Sequence, residues 1–485
     1  MSQFELMPIF PVVALASYGL LALLLVPWWR GNTRVLAGVS LVGLVMTGAG
    51  LVRLWGMWRA RGGPIETAFG MVRIDGFGLF FSFVLLLVGT LSVLYSVTFL
   101  EREEADEGEF YALIPLCLSG MMLMLHTTHL IVVLVGLEIF SLALYVLSGL
   151  TRQRARSVEA ALKYFLLGAF SSGFLVYGMA LLYGAAGSLD LARIGAEAAS
   201  GASRMLWIGF GLLLIGLAFK IAIVPFHQWV PDVYQGAPTN VTGFMAAATK
   251  TVTFAVLLRV LVGAFGPFAA TWEPLITWLA ILTMTVANLV ALTQTNLKRL
   301  LAFSSIAHAG YLLIAVVCRP AHGVRAILFY LAAYALMTVG AFAVLAAGGR
   351  GDAGTERGSE LSDWAGLGWR RPVLGLALAF FLLSLAGIPP TAGFLGKWVI
   401  FQAAIESQQY LLAVVGVLNA VVAAAYYLRV IVVLYMGEDE AEELPPPLSP
   451  ATALVMLASA AGVLYLGLAP GRLLELVRDL ASSLI

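Results

Sequence analysis

The stretch LLLIGLAFKIAIVPFHQWVPDVYQGAPT, residues 212–239, places a charge and helix breakers beside an apolar run. Its first half is apolar enough for a lipid bilayer, yet it contains Lys220. Pro225 and Pro231 follow on either side of His227. Proline interrupts a helix because it lacks a backbone N–H and its ring clashes with the preceding turn. The stretch therefore predicts a broken transmembrane helix that carries a buried lysine.

Composition places the whole chain in a membrane. Of its 485 residues, 61% are hydrophobic and 11% are charged, and the mean hydropathy is +0.95. Soluble domains are about 45–50% apolar and about 25% charged. A net charge of +1 gives no basic field for nucleic acid. Cys117 and Cys318 lie apart without metal-ligand spacing, so we expect no metal and no bound cofactor in this chain.

Apolar runs of about 20 residues, the length needed to cross a bilayer, recur along the sequence and predict about fourteen transmembrane helices. The predicted fold is an all-α polytopic membrane protein with two inverted five-helix repeats, each containing a broken helix. We expect a three-helix segment at 1–109, half-channel repeats at 110–265 and 266–436, and a C-terminal helix at 437–485. The basic loop TRQRARS, residues 151–157, favours the cytoplasmic side, which puts the N-terminus outside.

Lysines lie mainly inside the predicted transmembrane helices, whereas arginines are the main basic residues of the loops. Four of the five lysines, Lys163, Lys220, Lys250 and Lys397, lie inside predicted helices, and Glu138 is the carboxylate near the centre of one. Arginine keeps its proton under almost any condition, but a lysine removed from water can release it. Because each intramembrane charge costs about 2.5–3.5 kcal/mol, this pattern predicts a proton or cation path.

Each of these features also has a purely structural interpretation. Lys163 could extend its ammonium group to the membrane surface from a helix end. A glutamate–lysine pair could serve only to fix helix packing. His308 is a candidate relay because histidine titrates near neutrality, and a hydrogen-bonded core histidine is the alternative. His227, beside the first break, is open to both interpretations.

A second predicted break strengthens the transport interpretation. The stretch AGIPPTAGFLG, residues 386–396, contains Pro389 and Pro390 and precedes Lys397. Free backbone groups at such breaks are tolerated in a membrane only where they meet protein or a water-filled cavity. Paired broken helices in two halves are typical of a transport site, although an ordinary proline kink is the alternative for either break alone.

These stretches resemble the antiporter-like subunits of proton-pumping NADH:quinone oxidoreductase, respiratory complex I. The segment FKIAIVPFHQWVPDVYQGAPT is similar to the signature of the subunit N branch, called subunit 2 in mitochondria. GLEIFSLALY, NLKRLLAFSSIAHAGY and GIPPTAGFLGKW agree with it, and the similarity covers nearly the whole chain. Subunit M typically has glutamate where this chain has Lys397, and subunit L is longer.

The resemblance implies roles for the buried charges. Glu138 and Lys220 would form a coupled ion pair, and Lys163 would modulate Lys220. Lys250 would be the central relay, and Lys397 would serve the second half-channel. Other subunits, which hold FMN and iron–sulfur clusters, would transfer electrons from NADH to quinone. That electron transfer would drive proton translocation through this chain. Expected neighbours are subunits M and K and lipid, in a bacterial inner membrane.

Two rival interpretations come from different functional classes. The first is a membrane subunit of a multi-subunit cation/proton antiporter, which would depend on sodium or potassium and not on NADH. The second is a structural membrane subunit whose charges only lock the helix bundle, for which neutralising Lys220, Lys250 and Lys397 would leave pumping unimpaired.

Overall fold

Helices cross the membrane repeatedly in this computed structural model, which describes residues 7–29, 32–102, 108–201, 203–352, 355–437 and 447–482. Twelve helices of the described residues are long and apolar enough to span a bilayer. Two shorter apolar helices, Glu109–Leu125 and Pro372–Ala386, accompany them. The prediction of an α-helical, polytopic membrane protein is confirmed, and the count of about fourteen spans stays a prediction.

The α-helices of the described residues are numbered here in chain order. They are α1 (Phe10–Leu25), α2 (Arg34–Arg61), α3 (Gly76–Arg102), α4 (Glu109–Leu125), α5 (Leu130–Ser148), α6 (Ala155–Ala186), α7 (Leu191–Gly201), α8 (Arg204–Ile221), α9 (Trp229–Gly236), α10 (Thr239–Leu258), α11 (Ala269–Ala291), α12 (Leu297–Val316), α13 (Pro320–Gly348), α14 (Leu367–Arg370), α15 (Pro372–Ala386), α16 (Ala392–Glu406), α17 (Tyr410–Met436), α18 (Pro450–Leu468) and α19 (Gly471–Ala481). A π-helical turn, Arg259–Ala264, extends α10.

Four short strands modify the all-α expectation. β1 (Ile65–Thr67) pairs antiparallel with β2 (Val72–Ile74), and β3 (Arg350–Asp352) pairs antiparallel with β4 (Thr355–Arg357). Both hairpins connect membrane helices, so they close loops and build no sheet core. Two short helices, α7 and α19, were also not predicted from the sequence. Each buries only one side against the bundle, which marks them as helices that lie along its end.

Three helices form the centre of the bundle. α10, α12 and α13 are almost completely buried by the surrounding helices. Small residues allow the close approach of α10 to α13, since a Cβ atom added to Gly243 would lie 2.6 Å from the Cβ atom of Phe342. Because α10 and α12 carry Lys250 and His308, these polar groups lie far from lipid.

Both predicted helix breaks are present. α8 ends at Ile221, and Ala222 then adopts a left-handed conformation with φ of 66°, so the chain turns before α9 begins. Pro225 lies in this turn, but Pro231 lies in the first turn of α9, where its missing N–H costs nothing. Pro231 therefore starts the second half-helix and does not break the first.

The second break separates α15 from α16. Gly387, with φ of 91°, ends α15, and Pro389 and Pro390 lie in the connection before α16. The order of elements is then the same in both halves: α4, α5, α6, the broken pair α8–α9 and α10, followed by α11, α12, α13, the broken pair α15–α16 and α17. The inverted relation of the halves and the predicted domain boundaries stay predictions.

Candidate functional site

Lys220 lies in the last turn of α8, just before the first break, and is 4% exposed. Its ammonium nitrogen donates to the hydroxyl oxygen of Ser141 at 2.8 Å and to that of Tyr145 at 3.3 Å, both on α5. The rings of Phe140, Tyr145 and Tyr164 surround it at 5.4–5.8 Å. A cation is favoured here because the C-terminal end of a helix carries partial negative charge.

Lys250 lies in the middle of α10 and is 2% exposed. Its ammonium nitrogen donates to the hydroxyl oxygen of Ser305 on α12 at 2.6 Å. The hydroxyl of Tyr334 on α13 donates to the same oxygen at 3.0 Å. The central lysine is therefore connected through one serine to the two other central helices.

One face of α12 carries polar groups from Lys250 towards Lys397. Ser305, His308 and Tyr311 recur every three residues and so lie along the same side of the helix. The Nδ1 and Nε2 atoms of His308 lie 2.5 Å and 3.2 Å from the hydroxyl oxygens of Tyr330 and Tyr427. His308 is thus a hydrogen-bonded core histidine on the face of α12 that links the contacts of Lys250 and Lys397, and its role as a relay stays a prediction.

Lys397 lies in the second turn of α16 and is 5% exposed. Its ammonium nitrogen donates to the carbonyl oxygens of Leu385 at 3.1 Å and Ala386 at 2.8 Å, which end α15. The same nitrogen lies 5.0 Å from the ring centroid of Tyr311. The second break therefore serves as a binding site for this ammonium group, because it exposes carbonyl oxygens that a continuous helix would use internally.

Three of the buried lysines, Lys220, Lys250 and Lys397, share one property. Within the described ranges, no carboxylate lies within 4 Å of the ammonium nitrogen of Lys220, Lys250 or Lys397. Their hydrogen-bond acceptors are hydroxyl and carbonyl oxygens, which are neutral. Such acceptors can hold an ammonium group or a neutral amine hydrated by water, whereas a contacting carboxylate would favour the charged form.

Glu138 contacts the Lys220 site indirectly. Its carboxylate accepts a hydrogen bond of 2.7 Å from the hydroxyl of Ser172 on α6, and the side chain is only half-buried. Ser141, which binds Lys220, follows Glu138 by three residues on the same face of α5. Glu138 and Lys220 therefore lie in the same region but form no direct ion pair with each other in this structure. Their coupled role stays a prediction.

Lys163 differs from the other intramembrane lysines. Its side chain is 40% exposed and forms ion pairs of 2.7 Å with Glu159 and with Asp232. This geometry agrees with the interpretation in which Lys163 extends its ammonium group to the membrane surface, since that group pairs with carboxylates at the edge of the bundle. Its modulation of Lys220 stays a prediction. His227 is half-buried in the turn after Pro225, apart from the lysine contacts described above.

Several polar residues of the site were not singled out from the sequence. Asp232 bridges Lys163 and Arg299. Lys298, the one lysine outside the predicted helices, is 1% exposed and donates to the carbonyl oxygen of Ala237. The available signal for Asp232 was its charge inside the stretch 212–239, beside the predicted break. Ser305 gave none, because serine is common in membrane helices without any polar partner.

A buried charge pair lies at the end of the bundle that carries β1–β2. Asp75 accepts two hydrogen bonds of 2.8 Å from Arg259, which is 4% exposed. Burial alone would raise the pKa of Asp75, but the Arg259 charge and hydrogen bonds, with the Gly78 amide, hold the pKa below its ordinary value. This pair joins α3 to the end of α10 and is structural.

Comparison with known proteins agrees with this geometry. Residues 127–423 match the family described as NADH:quinone oxidoreductase/Mrp antiporter, TM. NADH-quinone oxidoreductase subunit N from Trichlorobacter lovleyi is 44% identical over 475 residues, which cover 97% of this chain and 96% of that protein.

Solved structures give the same result. A chain of respiratory complex I from Thermus thermophilus superimposes with a TM-score of 0.80 at 38% identity, covering 96% of this chain and 98% of that one. A chain of the Mrp complex from Dietzia sp. DQ12-45-1b has a TM-score of 0.85 at 23% identity, covering 98% and 97%, and so shares the fold. The chain therefore belongs to the NADH-quinone oxidoreductase subunit N family, within the NADH:quinone oxidoreductase/Mrp antiporter family.

Proposed function

We propose that this chain is a proton-translocating subunit in the membrane arm of an NADH:quinone oxidoreductase. Its membership of the subunit N family supports the assignment to this respiratory complex. Protons move through Lys220, Lys250 and Lys397, and Glu138 acts on Lys220. The observation that carries the relay is that Lys220, Lys250 and Lys397 are buried and have only neutral hydrogen-bond acceptors among the described residues, so each can exist with or without its extra proton.

The geometry suggests an order for the transfer. Lys220 at the first break receives a proton when Glu138 approaches it and releases the proton when Glu138 withdraws. Lys250 exchanges it through Ser305 and Tyr334, whose hydroxyl groups can donate and accept. His308 and Tyr311 continue along α12 to Lys397. Water completes the steps that have no direct side-chain contact.

The chain works as part of a larger assembly. Because Glu138 is half-buried, a neighbouring subunit can reach it, and we place subunit K on this side and subunit M on the other. FMN, iron–sulfur clusters, NADH and quinone bind in other subunits, and this chain does no redox chemistry. The assembly lies in a bacterial inner membrane with the N-terminus of this chain outside, as the basic loop 151–157 favours.

Identity favours this function over cation/proton antiport. The chain is 44% identical to the Trichlorobacter lovleyi protein but 23% identical to the Mrp chain, whose resemblance concerns the fold. The test is to purify the complex through a tag on this chain and to measure inhibitor-sensitive NADH:quinone activity and NADH-driven proton uptake in vesicles. Sodium- or potassium-driven transport without NADH oxidation would instead support the antiporter.

A further inference from the structure

Asp232 joins three helices at the edge of the bundle, and the relay described above does not use it. One carboxylate oxygen lies 2.6 Å from Nη1 of Arg299 on α12, and the other lies 2.7 Å from Nζ of Lys163 on α6. Arg299 also donates to the side-chain oxygen of Gln235 at 3.2 Å. Asp232 and Gln235 both belong to α9, so ion pairs tie this half-helix to one helix of each half.

α9 contacts the surroundings of two relay lysines. At its start, Trp229 stacks on Tyr164 with ring centroids 4.5 Å apart, and the Tyr164 ring lies 5.8 Å from the ammonium nitrogen of Lys220. Near its end, Tyr234 is buried, and α9 packs against α12, whose Ser305 binds Lys250. α9 is only eight residues long, so a shift at one end is transmitted to the other.

The ion pairs of Asp232 are accessible to water. The side chains of Lys163, Asp232 and Arg299 are 40%, 36% and 32% exposed, and a surface cavity of about 190 Å³ opens beside Lys163 and Asp232. Partly exposed ion pairs of this kind change an equilibrium by only about two- to fivefold each. They are therefore strong enough to bias the position of α9 and weak enough to open during turnover.

We propose that Asp232 is a positioning residue, which ties α9 to α6 and α12 and thereby couples the Lys220 and Lys250 sites. This inference rests on the proposed function of the two lysines. When Asp232 is paired with both Lys163 and Arg299, the Tyr164–Trp229 stack and Tyr234 hold the Lys220 and Lys250 sites in fixed relative positions. When Asp232 loses one of these ion pairs, α9 becomes free to move. Proton transfer between the two lysines then slows, while electron transfer in the other subunits continues.

The test compares Asp232→Asn with Glu159→Gln in the intact complex. Asparagine keeps the size of the side chain but removes the charge, whereas Glu159 is an exposed partner of Lys163 alone. We expect hydrogen–deuterium exchange of the 229–236 amides to rise by about two- to fivefold per ion pair lost in Asp232→Asn, and to stay unchanged in Glu159→Gln. We also expect the number of protons pumped per NADH oxidised to fall only in Asp232→Asn, and to recover in part in Asp232→Glu.

Assembly and a double variant separate coupling from misfolding. The amount of intact complex on a native gel should be the same for all variants, and the double variant Lys163→Gln/Arg299→Gln should reproduce the Asp232→Asn exchange and pumping. Unchanged exchange in Asp232→Asn, or unchanged pumping per NADH, would overturn the inference. Because exchange does not depend on pumping, the tie can be tested even if neutral Lys220 and Lys250 variants pump normally, a result that would defeat the proposed function instead.

Discussion

The ammonium nitrogen of Lys397 lies 2.8 Å from the carbonyl oxygen of Ala386, so a side chain of α16 closes the open end of α15. Lys220 also lies at the C-terminal end of a half-helix, but it belongs to the last turn of that half-helix itself. Both lysines therefore lie at the negative end of a half-helix dipole. The breaks thus provide a partial counter-charge that does not bind the proton permanently, as an adjacent carboxylate would.

Substitution of Lys397 should separate stability from proton transfer. Lys397→Met leaves the carbonyls of Leu385 and Ala386 without this donor, and we expect a loss of about 1–3 kcal/mol in stability together with loss of pumping. Lys397→Arg keeps the charge but not the ability to release the proton, so we expect near-normal stability without pumping. Thermal melting of the complex and NADH-driven proton uptake in vesicles measure the two effects. Near-normal pumping by the arginine variant would leave Lys397 a fixed charge.

Lys220 should show a stronger effect than its hydrogen-bond partner. We expect Lys220→Arg to fail nearly as completely as Lys220→Ala, because a permanently charged group cannot pass on its proton. Ser141→Ala removes one of two hydroxyl acceptors, so we expect a partial decrease of about tenfold or less in pumping rate. The measurement is the initial rate of NADH-driven proton uptake, normalised to NADH oxidation. Equal losses in the alanine variant of Ser141 and the arginine variant of Lys220 would contradict this order.

Ser305 should be essential for transfer through Lys250. Ser305→Ala removes the acceptor of Lys250 and of Tyr334 at the same time, so we expect a decrease in pumping of about tenfold or more. Ser148→Ala is the matched control, since this buried serine donates to the carbonyl of Leu144 in its own helix. The two variants should assemble equally well on a native gel. A Ser305 variant that pumps like the Ser148 control would exclude Ser305 from the path.

The Asp75–Arg259 pair should affect stability and show a defined pH dependence. Asp75→Asn leaves Arg259 buried with no carboxylate from Asp75, and we expect a loss of about 3–5 kcal/mol. Because the folded-state pKa of Asp75 is lowered, its contribution is complete above the unfolded pKa of about 4 and is lost as the pH falls below it. The difference in melting temperature between wild type and variant should be constant from about pH 5.5 to 8. A difference that grows towards lower pH would contradict this assignment.

Sequence alone was sufficient for the class of the fold and for the presence of lysines inside the membrane helices. Hydropathy predicted the membrane helices because the bilayer requires long apolar runs, and proline residues predicted both breaks. Lysines inside apolar runs were conspicuous because they are costly there. The position of Lys220 and Lys397 at half-helix ends follows directly from these two signals.

Partners across the bundle could not be deduced in the same way. That Lys250 binds Ser305, and that Lys163 turns to Asp232, depends on how helices distant in the chain rotate against each other. Periodicity gives the apolar face of a helix but not the polar atom that meets it. The Glu138–Lys220 pair was implied by the family resemblance, whereas in the structure Glu138 accepts a hydrogen bond from Ser172 of α6 and Lys220 donates one to Ser141 of α5.

The neutral acceptors around Lys220, Lys250 and Lys397 have a consequence for energetics. In the proposed relay, each proton that arrives on one of them adds a full elementary charge to the membrane interior, and among the described residues no carboxylate lies in direct contact to compensate it. A charge that crosses the whole membrane gains or loses about 2.3 kcal/mol per 100 mV of membrane potential. If protons move through these lysines as proposed, the proton occupancy of each lysine responds to that potential, so the membrane voltage acts back on this subunit at every step of transfer.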